Sequence, residues 1–157
     1  MDLFQILLFL HVLGAVVAFG PGFASMVVGP MVAKEPQHAN FYARSQALAA
    51  RAVVTPVSIS MAITGGAMIL DRGWSNLVGT THWLEVAILL YVIAVVLSMA
   101  VMAPASRKLV ALTSQPPAPG QPPSPALPAT ARRIRLMGMV LSGPVVVIVF
   151  LMIAKPF

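Results

Sequence analysis

Four long apolar runs, each able to cross a lipid bilayer, leave this chain few folds to choose from. They cover about residues 3–32, 47–70, 83–103 and 134–154 of 157. A hydrocarbon core of ~30 Å needs about 20 apolar residues per helical crossing. In lipid the backbone must satisfy its own hydrogen bonds, so only helices or a closed barrel can span. Continuous apolar runs, rather than alternation, select helices. Charged residues make up 9% of the chain, against about a quarter in soluble domains. They cluster between the runs and cannot cover a water-facing surface. The expected architecture is therefore all-α, a four-helix transmembrane bundle forming a single membrane domain over residues 1–157.

Breaks in the runs set expectations for the helices. The first run would extend roughly 45 Å as a helix, longer than the hydrocarbon is thick. Gly20-Pro21-Gly22 lies inside it and predicts a bend or an irregular turn, because proline removes a donor and crowds the preceding turn. Residues 34–46 read as a polar connection. Arg51 can snorkel to the headgroups, Pro56 predicts a bend in the second helix, and Pro104 predicts the end of the third. Residues 107–133 read as a long loop. Its middle, Gln115 to Pro128, is mostly Pro, Ala, Ser and Gln, a composition that favours a solvated extended linker over a docking motif.

Basic residues set the orientation. Lys34, Arg44, Arg51, Arg107, Lys108, Arg132, Arg133 and Arg135 flank the first and third connections, and only Arg72 and Lys155 of the 10 basic residues lie on the other side. This bias places those two connections in the cytoplasm and both termini outside it. It also accounts for the net charge of +6. Since no segment interleaves aromatics with Lys and Arg, no nucleic-acid partner is expected. Trp74 and Trp83 fall at the opposite membrane edge, as in an aromatic belt. The absence of cysteine excludes disulfides, thiolate metal sites and covalent c-type haem. Met1-Asp2-Leu3 lacks a basic n-region, so the first run reads as a retained helix.

His11 is the one titratable residue well inside an apolar run. Ala15, Ala18, Gly22, Ser25 and Gly29 continue its face at helical spacing, and small residues let helices approach closely. The imidazole should therefore point at neighbouring helices, where an intramembrane ionisable group is a functional candidate. Depth matching brings Thr64 and Tyr91 to its level, and either can bond a neutral imidazole. One reading makes His11 an interhelical tie; another makes it an axial ligand of haem b. No matched second histidine exists for a bis-His site, since His82 is too shallow and His38 is on the wrong side. A third reading, metal or ion transport, draws on His11, His82 and the methionines, which are scattered rather than clustered. Gly14, Ala18, Gly22, Thr64, Gly65, Tyr91, Gly138 and Ser142 read as packing positions. Glu85, Asp71, Arg72 and His82 read as a solvated charge cluster. No nucleophile–base arrangement and no phosphate loop occurs, so no catalytic residue is expected, and no cofactor beyond the possible haem.

Leu10-His11-Val12-Leu13-Gly14-Ala15, then Phe19-Gly20-Pro21, Thr64-Gly65-Gly66 and the terminal Leu151-Met152-Ile153-Ala154-Lys155-Pro156 resemble a family of predicted bacterial integral membrane proteins of unknown function. The resemblance runs through nearly the whole chain in order. It implies four helices, a bacterial cytoplasmic membrane and no established activity. The Leu-His-x-x-Gly-Ala start is also similar to the first helix of copper-resistance D-type membrane proteins and, more distantly, of membrane protoporphyrinogen oxidases. Those likenesses imply a role for His11. With small size and no catalytic set, the chain is expected to partner lipid and other membrane subunits as an accessory or structural component.

Overall fold

A computed structural model describes residues 2–74, 82–114 and 124–154. Helix α1 (Leu3–Lys34) opens on a capping box, in which the Asp2 carboxylate accepts from the Gln5 N–H and the Gln5 side chain accepts from the Asp2 N–H. These bonds satisfy donors that a helix start leaves orphaned. The irregular turn expected at Gly20-Pro21-Gly22 is absent: α1 stays α-helical through both Pro21 and Pro30. The flanking glycines leave room around the pyrrolidine ring. Farther along, the Ser25 hydroxyl donates to the Gly22 carbonyl at 2.6 Å, a local bond that keeps this polar side chain satisfied within its own helix.

The second span begins with a 3-10 turn (Pro36–His38). It continues through α2 (Ala39–Ala49), a π turn (Ala50–Val54) and α3 (Thr55–Arg72). Gly73 ends it with φ 77°, a left-handed conformation natural to glycine, and returns its N–H to the Ile69 carbonyl at 2.9 Å. The third span comprises α4 (Trp83–Leu97), a π turn (Ser98–Met102) and α5 (Ala103–Ser114), and the fourth is α6 (Ala126–Ala154). All four spans are long and apolar enough to cross a membrane.

The helices outrun the apolar stretches that announce them. Residues 39–46 and 107–114 are helix rather than loop, and α6 starts at Ala126, ahead of residue 134. The end of an apolar run marks the membrane edge; the helix continues wherever it finds a partner. Here α2 packs on α5 and α5 on α6. Pro104 does not stop the third span. Each π turn closes just ahead of a proline, Pro56 or Pro104. The wider turn relieves the clash between the proline ring and the carbonyl one turn back. At the first, the Thr55 hydroxyl takes up the Ala50 carbonyl at 2.8 Å. Of the Pro-rich stretch, residues 115–123 lie outside the described residues, while Ala126 to Pro128 belong to α6.

The main helix contacts pair α1 with α3 and α4 with α6. Trp83, Leu84, Ala87 and Leu151 form a buried cluster flanked by Ile69 and Ile148. Trp83 is thus an interior residue, 7% exposed, and not part of a headgroup belt; Trp74 is exposed. The indole of Trp83 opens α4 on the face that meets α6, so it packs inward. Most other large apolar residues point outward, among them Val16, Val27, Ile63 and Leu70. This is the inverse of a water-soluble bundle and is what lipid requires.

Candidate functional site

His11 faces α3. Its Nδ1 lies 3.1 Å from Thr64 Oγ1. The Thr64 hydroxyl hydrogen has a backbone acceptor, the Ser60 carbonyl at 2.9 Å. With that hydrogen committed, Oγ1 accepts from His11 Nδ1–H, and Nε2 keeps its lone pair; the proton is assigned from this network.

Glycines bring α1 and α3 together around this bond. A Cβ built on Gly65 would stand 3.3 Å from His11 Cε1, and one on Gly14 would stand 2.9 Å from Met61 Cγ. Gly14 and Ala18 are buried on the same face of α1. Gly22 is not in this contact: it is exposed, with nothing within 4 Å of a Cβ there. The face drifts to Pro21, Ser25 and Gly29 because 3.6 residues per turn does not hold a strict four-residue spacing.

Tyr91 does not reach His11 as a hydrogen-bond partner. Its hydroxyl donates to the Ser58 carbonyl at 2.7 Å and so links α4 to α3. In α6, the Ser142 hydroxyl donates to the Gly138 carbonyl at 2.8 Å, and a Cβ on Gly138 would meet Met102 Cε at 3.9 Å, an ordinary contact. At the end that carries the termini, Arg72 pairs with Asp2 at 2.7 Å and with Asp71 at 3.6 Å, and its guanidinium covers the Phe4 ring at 4.6 Å. Separately, His82 and Glu85 approach each other to 3.0 Å. Lys155 lies outside the described residues.

Residues 5–156 match the family model described as Predicted integral membrane protein (DUF2269). The chain belongs to this family. No curated protein and no solved structure matches it.

Two residues of this family member carry more than the sequence pattern assigns them. Asn40, in the segment that reads as a loop, directs its amide nitrogen at the Val110 carbonyl (3.4 Å), Thr113 Oγ1 (3.1 Å) and Ser114 Oγ (3.1 Å). Asp2 both caps α1 and pairs with Arg72. A signal existed for Asp2, since Asp-x-x-Gln ahead of an apolar run is a helix-start pattern. None existed for Asn40, whose partners lie 70 and more residues away.

Proposed function

We propose that this protein is a non-catalytic membrane component that completes its packing inside a larger assembly. One observation carries the reading: three polar side chains between the helices bond within the chain itself. His11 holds Thr64, Tyr91 holds the Ser58 carbonyl, and Asn40 holds α5. Small residues that would admit a partner helix stand open: a Cβ at Gly20, Gly22, Gly66 or Gly143 meets nothing within 4 Å. The distribution of basic residues supports a bacterial cytoplasmic membrane location with both termini outside the cytoplasm. Extraction in mild detergent after crosslinking in the membrane tests the assembly. A heteromer of fixed stoichiometry is expected; a lone chain under both treatments overturns the reading.

A second reading is haem b ligation through His11. Its support is the Thr64 bond: an imidazole anchored at Nδ1 with a free Nε2 lone pair is the form in which histidine binds iron. A Soret band in the purified protein, lost in His11→Ala, would favour it over the packing role. A haem-free protein isolated from haem-replete cells would reject it.

A further inference from the structure

Between α5 and α6, at the end opposite the termini, lies a cavity of about 180 Å³ lined by Ala105, Lys108, Ala126, Ala129, Thr130 and Arg133. Three alanines make the space, and two cations and a hydroxyl supply its chemistry. Thr130 is the one buried polar residue among the described residues. Lys108 and Arg133 form no ion pair among the described residues. Of the 4 acidic residues, Asp2 and Asp71 approach Arg72, Glu85 approaches His82, and Glu35 approaches His38. Nothing in the cavity balances its charge, so it suits an oxyanion.

A shallow surface patch on α6 shares Ala129 and Arg133 with the cavity and continues over Arg132, Leu136 and Met137. The patch turns apolar toward the membrane interior. Thr130 lies four residues, about 6 Å, beyond the start of the apolar run of α6. Cationic groups therefore sit at headgroup level, with an apolar face of α6 directly beneath them. A free phosphate would use only the upper part of this shape; a phospholipid uses both.

We propose that the cavity between α5 and α6, together with the α6 surface beneath it, forms a binding site for an anionic phospholipid, with its phosphate between Lys108, Thr130 and Arg133 and an acyl chain along Leu136 and Met137. Basic pockets between membrane helices are suited to acidic headgroups. The site depends neither on His11 nor on a partner subunit.

The test uses the full chain in neutral detergent micelles and follows its thermal midpoint as phosphatidylglycerol is added. A saturable rise is expected with phosphatidylglycerol and none with phosphatidylcholine or with inorganic phosphate at equal concentration. The double variant Lys108→Gln/Arg133→Gln should raise the half-saturating lipid concentration about thirtyfold, from the per-cation attraction at a membrane surface. Ala129→Leu fills the edge that the cavity shares with the α6 patch while keeping every charge, and should remove the saturable rise. Arg44→Gln, at the same end but outside the site, should leave it unchanged. An equal rise with phosphatidylcholine or with phosphate alone overturns the proposal. So does a saturable rise that survives both the double variant and Ala129→Leu, and so does one that Arg44→Gln weakens as much as the double variant.

Discussion

Gly14 lies at a close approach of α1 to α3, and Gly14→Ala measures how close. The added methyl would stand 2.9 Å from Met61 Cγ and 3.5 Å from Val57 Cγ1. Carbon atoms prefer about 3.5 Å or more, so Met61 must move by about 0.6 Å or α1 must back away. Met61 is itself buried, 8% exposed, so its Cγ cannot swing freely. Overpacking of this kind costs about 1–3 kcal/mol. The usual helix-propensity gain of alanine over glycine will not offset it, because the unfolded state in a membrane is already helical. Met61→Ala removes the obstructing Cγ. The two substitutions should therefore couple favourably, with the double variant more stable than the sum of the singles by about 1 kcal/mol or more. Reversible unfolding in mixed micelles of neutral and denaturing detergent reads all four corners of the cycle. If Gly14→Ala is neutral, or if the cycle closes with no coupling, the close approach at Gly14 is not what holds α1 on α3.

Further expectations concern the polar ties and the topology. A double-mutant cycle of His11→Gln and Thr64→Val should give a coupling of about 0.6 kcal/mol, the usual worth of an interhelical bond in a membrane; a cycle on the same unfolding assay that shows no coupling would remove His11 as a tie. Asn40→Leu should loosen α2 from α5 at about 1 kcal/mol for the lost bonds, seen as a broader spin-label distance distribution between Phe41 and Ala111; an unchanged distribution counts against Asn40 as the link. Arg72→Gln, whose side chain is 45% exposed, should cost at most about 1 kcal/mol despite its several contacts, because water screens the pairs. Reporter fusions after Phe157 should be active in a periplasm-dependent reporter and silent in a cytoplasm-dependent one, and the reverse pattern would invert the orientation drawn from the basic residues.

The number and placement of the spans were legible because each run exceeds the bilayer requirement by itself and needs no tertiary information. The His11–Thr64 pairing was legible for a related reason: antiparallel neighbours of known depth leave few groups at one level. Tyr91, equally matched in depth, went to the Ser58 carbonyl, because depth fixes height and says nothing of the angle around the helix. Helix ends were illegible where they pass beyond lipid. Composition marks the change of solvent at residues 34–46 and 107–114, while the helix follows the contact of α2 with α5, which only the folded chain reveals. Two prolines misled in the same way. Pro21 was accommodated between glycines without a break, and Pro104 through a preceding π turn without a stop.

That accommodation changes what each long span can be. A π turn carries one residue more than an α turn, which rotates everything beyond it by about 100°. The second span meets α1 mainly along α3 and meets α5 along α2, which also touches α1. The π turn offsets the phase of its two halves, a hinge in register rather than in direction. Removing a single residue within Ala50–Val54 would leave α1 and α3 seated and turn the Asn40 face away from its acceptors on α5. In this fold the helix phase, set by two prolines, decides which neighbours each half of a span can keep.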